Sequence, residues 1–408
     1  MRKFYLSFLL PVYLLGQNLN ELVDLSLQNE LISSSKHSVE SIKSQYSSIK
    51  NAYLPKVTVG ANYSNTNEET ASTPDSSMVG YANINYIIYD GGKKSATYNS
   101  YESNIKGANE SLNSLKNTIA IEVVNYYYNY QSLVSNKEAT LKEIEQLTAQ
   151  YKRLKRFLDA GTTTSDEVDK IKSRVENANL TLHEVELQIQ TVLHNLHYIT
   201  SQQVTIEDGS LINYEDLDEQ ALRADIKVLE YDMKTKLSNA RASKSSNYPM
   251  VSLDNTYNYY DMDYNNKAYD NGVESQNIFK VSFAWKLFDF GATADTYKSN
   301  LQQYKSVKSK YEYEKNKANI DLQLAIKSYD IAKLKISTAK EALKAATSTY
   351  ETIEAKYQNG LVDNVAYLEA LSEKYNAISS VKMAVYNLEI KKANIIYHSG
   401  KNVWEYIK

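Results

Sequence analysis

Two stretches of the sequence run for 68 residues without a proline, from Lys93 to Ala160 and from Ala292 to Asn359. The whole chain has 4 prolines and 12 glycines among its 408 residues, and only Gly107 lies inside either stretch. Because proline and glycine interrupt helices, these stretches predict two helices about 100 Å long. The same scarcity excludes an ordinary α/β enzyme, whose loops need many such residues.

The sequence also contains an internal repeat. The turn Asp90-Gly91-Gly92 recurs as Asp289-Phe290-Gly291, and Gly161 recurs as Gly360, both at a spacing of 199 residues. A constant spacing predicts two structural repeats, 20–200 and 219–398, joined by a polar segment at 201–218 and followed by a short segment at 399–408. The first repeat is expected to hold a helix at 20–53, a β-hairpin at 56–90, the long helix 93–160 and a return helix at 165–198. The second is expected to hold a helix at 219–247, a β-hairpin at 250–289, the long helix 292–359 and a return helix at 363–397.

Both hairpins show the period of two that is typical of strands with one apolar face. Its clearest example is a run of apolar residues that alternates with polar or small ones: Phe279, Val281, Phe283, Trp285 and Leu287. The apolar face suits lipid and the opposite face suits water. Four strands are too few to close a membrane barrel, so several chains are expected to contribute strands to one shared barrel.

The return helix of the first repeat carries apolar residues at alternating spacings of three and four. They are Val168, Ile171, Val175, Ala178, Leu182, Val185, Ile189, Val192 and Leu196. Such a heptad pattern predicts coiled-coil packing. Gly161 and Gly360 are then expected to cap the tips of two antiparallel helical hairpins.

The N-terminus has the features of an export signal. Arg2 and Lys3 precede an apolar run at 4–15, which predicts a signal peptide over residues 1–16. No later window is apolar enough for a membrane-spanning helix. Export without a helical anchor, combined with amphipathic strands, points to the outer membrane of a Gram-negative bacterium. The absence of cysteine excludes thiol chemistry, and a net charge of −3 argues against a nucleic-acid partner.

Over residues 20–400 this order of paired strands, Asp-Gly-Gly or Asp-x-Gly turn, long helix, glycine tip and return helix resembles the outer-membrane efflux protein (TolC) family. The resemblance implies a mainly α fold with a membrane β-barrel, assembled as a homotrimer with a twelve-strand barrel in outer-membrane lipid and a twelve-helix periplasmic tunnel. Segments 201–218 and 399–408 would form an equatorial belt. The implied partners are a periplasmic adaptor (membrane fusion) protein and an inner-membrane pump, for which the trimer is the exit duct in efflux or type I secretion.

The resemblance also places a closed periplasmic entrance at the two tips. Carried over by position, the gate tyrosine is Tyr357 and its acidic partner is Glu167. Glu369 keeps one acidic ring position, and Asp363 adds charge nearby. The alternatives are that Tyr357 is a coiled-coil seam residue and that Glu369 and Asp363 are ordinary solvated helix charges.

This sequence departs from the family pattern at the second tip. Ala366 replaces one of the acidic ring residues, and Val362 replaces the basic residue that forms an intersubunit ion pair. Exposure of small and apolar side chains at the tips suggests contacts with the adaptor. The expected contact residues are Gly161, Thr162, Thr163, Gly360, Leu361 and Val362.

No catalytic motif is present, so we expect neither an enzyme nor a cofactor. His194 and His197 lie one turn apart but lack further ligands, so no metal site is expected. Two other functions remain open from the residues alone. One is a passive trimeric outer-membrane pore, and the other is a structural coiled-coil protein of the cell surface. The cargo could be a drug, a metal ion or a protein.

Overall fold

The computed structural model describes residues 16–214, 221–270 and 272–408. The expected signal peptide lies outside them except for Gly16, as do residues 215–218 of the expected linker. The chain divides into two compact units. The first contains the residues up to Ser34, Leu112–Ala224 and Asn316–Lys408, and the second contains Ser35–Ser111 and Asp225–Lys315. Each unit therefore draws on both repeats.

Helices dominate the described residues. In chain order they are α1 (Leu19–Ser26), α2 (Glu30–Ala52), α3 (Lys93–Asp159), α4 (Ser165–Thr200), α5 (Ala224–Lys244), α6 (Ala292–Gln358) and α7 (Asn364–His398). The strands are β1 (Lys56–Asn65), β2 (Ser76–Tyr89), β3 (Met250–Asp263) and β4 (Ser275–Ala284). Short 3₁₀ helices occupy Ser245–Asn247 and Val403–Tyr406. No helix among the described residues has the length and apolar character needed to cross a membrane.

The long helices α3 and α6 each contain 67 residues and begin at the repeated turn. Asp90 Oδ2 accepts the Lys94 amide at 2.7 Å, and Asp289 Oδ2 accepts the Thr293 amide at 3.0 Å. These carboxylates satisfy amide groups that a helix start leaves without partners. The aspartate of the repeated turn therefore acts as a helix cap in both repeats.

The single helix expected at 20–53 is wrong, because the structure has two helices there. A turn at residues 27–29 separates α1 from α2. Asn29 Oδ1 accepts the Ile32 amide at 2.9 Å, and Asn29 Nδ2 donates to the Ile199 carbonyl at 3.1 Å. Asn29 thus starts a new helix with its own side chain, while the same side chain ties the turn to α4.

The helix expected at 219–247 is shorter in the structure, since α5 spans Ala224–Lys244 and a 3₁₀ turn follows it. That turn approaches the start of α3 closely within the second unit. A Cβ added to Gly91, which has a φ of 70°, would lie 2.5 Å from the Ser245 carbonyl oxygen. Glycine is therefore required at this crossing.

The four strands form one antiparallel sheet in the order β1-β2-β3-β4 within the second unit. Val57 pairs with Ile84, Ile84 with Asn255, and Asn255 with Phe279. These residues share a face with other exposed apolar side chains, namely Val59, Tyr63, Met78, Tyr257, Val281 and Phe283. Side chains on the opposite face bond to each other across strands, as Asn83 Nδ2 does to Thr256 Oγ1 at 2.7 Å. The sheet is therefore apolar on one side and polar on the other.

The apolar strand predicted from Phe279 to Leu287 ends earlier than expected. β4 ends at Ala284, which pairs with Met250, the first residue of β3. Pro249 precedes Met250 and has no amide hydrogen for a further ladder bond. Trp285 and Leu287 consequently lie beyond the strand, where both stay exposed and Trp285 Nε1 donates to the Asn247 carbonyl at 3.1 Å.

The largest apolar core lies in the first unit, around the middle of α3. Tyr127 and Tyr128 are fully buried there, and their hydroxyls donate to the carbonyls of Glu207 (2.7 Å) and Ser210 (2.9 Å). Segment 204–214 is thereby held against α3. Buried Glu389 of α7 accepts the Ile212 amide at 2.8 Å on the same segment.

The coiled-coil pattern predicted for the return helix is confirmed. Most of the expected seam residues of α4 are buried: Val168, Ile171, Ala178, Val185, Ile189, Val192 and Leu196. Near the tip, Leu147 of α3 packs with Ile171 and Ala178 in a separate small core. α3 and α4 thus form an antiparallel helical hairpin.

Candidate gate at the helical hairpin tips

Both helical hairpins turn through a glycine in the left-handed region. Gly161 follows α3 with a φ of 72°, and Gly360 follows α6 with a φ of 71°. In each turn the next amide, that of Thr162 or Leu361, bonds to a carbonyl five residues earlier at 2.8 Å. This is the helix-ending motif that favours glycine, so the two tips have the same backbone design.

The residues expected to contact an adaptor lie at the surface of these tips. Leu361 is 74% exposed. Gly161, Thr162 and Gly360 are also exposed, whereas Thr163 and Val362 are half-buried. The tips therefore present small and apolar groups to solvent, and their contact with an adaptor stays a prediction.

Asp363 connects the two hairpins of the chain. It is the N-cap of α7, where its Oδ1 accepts the Ala366 amide at 2.9 Å. Its Oδ2 forms an ion pair with Arg153 of α3. The Arg153 guanidinium also lies 5.1 Å from the centre of the Phe157 ring. One carboxylate therefore caps a helix of the second hairpin and binds a cation of the first.

Tyr357 belongs to an aromatic cluster between α6 and α7. Its ring stacks on Tyr367 with 4.9 Å between centroids and 15° between planes. The Tyr367 hydroxyl lies 3.3 Å from the Tyr350 hydroxyl, which donates to Glu354 at 2.6 Å. These hydrogen bonds, that of Glu354 first, raise the pKa of Tyr350 above its usual value of 10. The Tyr350 hydroxyl therefore stays protonated at neutral pH and keeps its hydrogen bond to Glu354.

Glu167 lies in the first turn of α4 and is exposed. It pairs with Lys170 at 2.8 Å, three residues later on the same helix. Among the residues that the structure describes, no hydrogen bond joins Glu167 to Tyr357. The single chain therefore does not bring these two expected gate residues together, and their contact stays a prediction.

Glu369 lines a polar cavity of about 460 Å³ beside α3 and α4. The other polar groups of the lining are Glu143, Gln146, Gln150, Arg174, Asn177 and Thr181. Glu369 is exposed, and the ion pairs of the described residues do not include it. Its negative charge is thus available to ions near the tip.

Sequence reasoning missed Arg153 and Tyr367. Tyr367 could have been found, because Tyr357 and Tyr367 are each five residues from position 362 and a helical hairpin brings such residues together. Lys374 and Tyr350 follow the same rule, with the Lys374 ammonium 4.2 Å from the Tyr350 ring centre. No symmetry of this kind relates Arg153 to Asp363, since they belong to different hairpins.

The described part of the chain contains no cluster of three or more histidine, aspartate or glutamate side chains that could hold a metal ion. The tips combine the Arg153–Asp363 and Lys170–Glu167 ion pairs, the Tyr357–Tyr367 stack and the Glu369 carboxylate. Such groups can hold two hairpins together and impose a local charge.

Comparisons with known proteins agree with this geometry. The family model described as "Outer membrane efflux protein" matches residues 22–201 and 218–400. A search of curated proteins gave no significant match. The two matched segments correspond to the two repeats, so the family pattern is itself duplicated.

Solved structures with the same fold include channels from three bacteria. The CmeC outer membrane channel of Campylobacter jejuni has a TM-score of 0.79 and 17% identity, with 94% of this chain and 85% of that chain covered. The outer membrane protein VceC of Vibrio cholerae has a TM-score of 0.77 and 16% identity, covering 94% and 96%. The open MtrE outer membrane channel of Neisseria gonorrhoeae has a TM-score of 0.73 and 14% identity, covering 94% and 89%.

Two β-hairpins joined in one amphipathic sheet, together with two long helical hairpins, define the class of channel-tunnel proteins. The chain belongs to the outer membrane efflux protein family. It is therefore an outer-membrane efflux channel of a Gram-negative bacterium with a large periplasmic portion, and it is not an enzyme. Relatives are trimeric and work with an adaptor and an inner-membrane pump.

Proposed function

We propose that three copies of this chain close into one exit duct, coupled to a periplasmic adaptor and an inner-membrane pump, and that the hairpin tips form its gate. The observation that carries this proposal is a pair of exposed apolar seams in the first unit, one on α4 and one on α6. The α6 seam of one copy can pack on the α4 seam of the next copy.

The order of the helices identifies α4 and α6 as the outer helices. α3 contacts α4 through Lys137 and Glu186 (2.9 Å), and it contacts α7 through Arg153 and Asp363. α7 contacts α6 through the stacked Tyr367 and Tyr357. The row therefore runs α4, α3, α7, α6, with α4 and α6 at its two sides.

Both outer helices expose apolar residues at coiled-coil spacings. α6 exposes Ile320, Leu324, Ile331 and Leu334, and α4 exposes Leu180, Leu187 and Tyr198. Full burial of one such side chain contributes about 1.5–3 kcal/mol. Because the seams lie on opposite sides of the row, α6 of one copy can pack on α4 of the next, and repetition of this contact closes a ring.

The sheet, like the helices, needs neighbouring copies to cover its two sides. β1 and β4 are its outer strands and would leave backbone groups without partners in lipid, which has no water to satisfy them. Pairing β4 of one copy with β1 of the next removes both edges. Three copies then form a twelve-strand barrel whose apolar face contacts lipid.

In this duct the tips form the gate, with Glu167, Tyr357, Asp363 and Glu369 as its polar residues. The Arg153–Asp363 ion pair joins the two hairpins of each copy, so they must separate for the entrance to widen. One such exposed pair contributes only about 0.2–1 kcal/mol, but three copies act together. Three Glu369 carboxylates around the axis would attract cations.

Conductance in planar bilayers tests the gate. Asp363→Asn removes the charge while keeping a good helix cap, and Arg153→Gln removes the other partner. We expect each variant to raise the conductance of the closed channel, and the double variant to raise it no further. Unchanged conductance in both single variants, or fully additive effects, would contradict the gate. Glu167→Ala with Tyr357→Phe tests the second expected contact in the same assay.

Divalent cations test the acidic ring. We expect them to block the wild-type channel and to block Glu369→Gln less strongly. Equal block of the two proteins would remove Glu369 from the gate.

Adaptor binding tests the tips. Leu361→Glu places a charge at the most exposed apolar tip residue, and we expect it to abolish co-purification of the adaptor while the trimer persists. If the Leu361→Glu protein still co-purified with the adaptor, the adaptor would bind to another surface of the channel.

A further inference from the structure

We propose that a charged row on the polar face of the sheet makes the barrel favour anionic solutes. The row consists of Lys56, Asn85, Asp254 and Lys280, one residue from each strand. The inference rests on the trimeric barrel proposed above, because the polar face lines the lumen only when the barrel closes.

Strand register places these four residues side by side. Lys56 of β1 pairs with Asn85 of β2, Asn85 pairs with Asp254 of β3, and Asp254 pairs with Lys280 of β4. Paired residues project from the same face of a sheet. The hydrogen bond from Asn85 Nδ2 to Asp254 Oδ1, at 2.6 Å, confirms that this is the polar face.

The aspartate and the lysines of the row differ in their surroundings. Asp254 is half-buried, accepts the bond from Asn85, and has the Ser252 hydroxyl 3.5 Å from its second oxygen. Lys56 and Lys280 are exposed, and neither takes part in an ion pair of the described residues. The carboxylate is therefore drawn into the sheet while both ammonium groups face the solvent.

No other level of the polar face carries a charge within the four strands. Its remaining residues are neutral, among them Thr58, Asn62, Asn83, Thr256, Asn258 and Ser282. The charge is thus concentrated in one row. Each copy adds two positive charges and one negative charge to it, so the ring of three copies carries a net positive charge.

Closure of the barrel concentrates this charge further. The lysines lie on β1 and β4, the outer strands, which become neighbours when two copies pair. Neighbouring strands are about 4.8 Å apart. Each contact between copies therefore places two lysine-bearing strands together, with Asp254 one strand away. Rings of lysine or arginine are the means by which pores favour anions and phosphates.

Screening limits the reach of the row to about 8 Å at physiological salt. It therefore acts on solutes that pass close to the wall, and most strongly on multivalent anions. It is also separate from the acidic tips, because the row belongs to the second unit and the tips belong to the first.

Block by tripolyphosphate, added on the extracellular side at low ionic strength, tests the row. The variant Lys56→Gln with Lys280→Gln is expected to weaken block about threefold or more. Asp254→Asn, which removes the opposing charge, is expected to strengthen it. Lys267→Gln is the matched control, since Lys267 lies in the loop after β3, and its block should stay close to that of the wild type.

The outcomes separate this inference from the proposed duct. Equal block of the wild type and the double lysine variant, with normal conductance in both, would overturn the charged row and leave the duct intact. The same holds if Asp254→Asn weakens block. A wild-type protein that conducts no current would instead contradict the duct itself. A trimer band on a semi-native gel verifies that each variant is assembled.

Discussion

The two long helices have the same length and the same starting cap, yet they bury their residues differently. Ile121 of α3 and Ile320 of α6 occupy equivalent positions, 199 residues apart, and are the same residue type. Ile121 is 8% exposed, whereas Ile320 is 56% exposed. Tyr127 is fully buried in α3, while its equivalent in α6, Ile326, is 42% exposed.

Position in the helical row explains this difference. α3 lies between α4 and α7, so it is covered on two sides within one chain, whereas α6 is an outer helix. Duplication gave the chain two long helices, and their sequences have diverged to suit an inner and an outer place. In the proposed trimer, the exposed apolar residues of α6 would be buried against α4 of the next copy.

Charged residues in the α6 seam are expected to have the largest effect, because α6 is the helix that would pack between copies. Leu324→Glu with Ile331→Glu places six carboxylates in the proposed trimer contacts, and we expect the trimer to be lost while the chain keeps its helical content. Size-exclusion chromatography with light scattering and circular dichroism measure the two quantities. Lys340→Glu is the control, because Lys340 is exposed on the same helix but at a heptad position that differs from those of the seam residues. A trimer that survives the seam charges would disprove the α4–α6 contact.

The equivalent isoleucines give a matched pair with a smaller effect. Ile121→Ala should lower the free energy of unfolding of the protomer by about 2–5 kcal/mol, because it leaves a cavity in the core. Ile320→Ala should leave protomer unfolding almost unchanged and instead lower the temperature at which the trimer dissociates. Denaturant titration and semi-native gels at rising temperature distinguish these effects. Equal losses of protomer stability would mean that the two helices are buried alike.

The smallest effect concerns a contact that α3 has and α6 lacks. Tyr46 of α2 donates to Glu102 of α3 at 2.7 Å, whereas the position equivalent to Glu102 in α6 is Leu301. Tyr46→Phe should lower the free energy of unfolding by about 1.5–3 kcal/mol at neutral pH, the usual contribution of a hydrogen bond to a charged group. Denaturant titration of the two proteins measures this difference.

The same tyrosine predicts a dependence on alkaline pH. Burial, and then the bond to Glu102, raises the pKa of Tyr46 to about 12, while an unfolded tyrosine ionises near 10. The stabilisation is therefore complete below pH 10 and is lost as pH rises from 10 to 12. Tyr46→Phe should flatten this part of the stability profile, and an unchanged slope would show that the bond does not control it.

Most of the fold could be predicted because its determinants are local or periodic. The scarcity of proline and glycine predicted α3 and α6, and the heptad pattern predicted the buried face of α4. The break at Asn29 was missed because it depends on a bond to Ile199, which is far away in the sequence. The end of β4 was missed because the alternation continues to Leu287, although its partner strand does not.

The candidate site was less predictable than the fold. Positions carried over from the family led to Asp363 and Tyr357, but not to the side chains that contact them. Arg153 belongs to a different hairpin from Asp363. The sequence pattern along one helix does not indicate which side chains of another hairpin contact it. The contact between Tyr367 and Tyr357 could have been predicted, because the two residues lie at equal distances from the turn.

The two oxygens of Asp363 have different partners. Oδ1 binds the backbone of α7 at Ala366, and Oδ2 faces Arg153. Loss of the arginine contact therefore need not unwind the helix, since the bond that starts α7 does not depend on it. The contact that would break on opening, at Oδ2, is therefore separate from the contact that holds the start of α7, at Oδ1. In the proposed gate, the second tip would move away from the first and return to the same contact while α7 stays folded, so the entrance would open and close repeatedly without refolding.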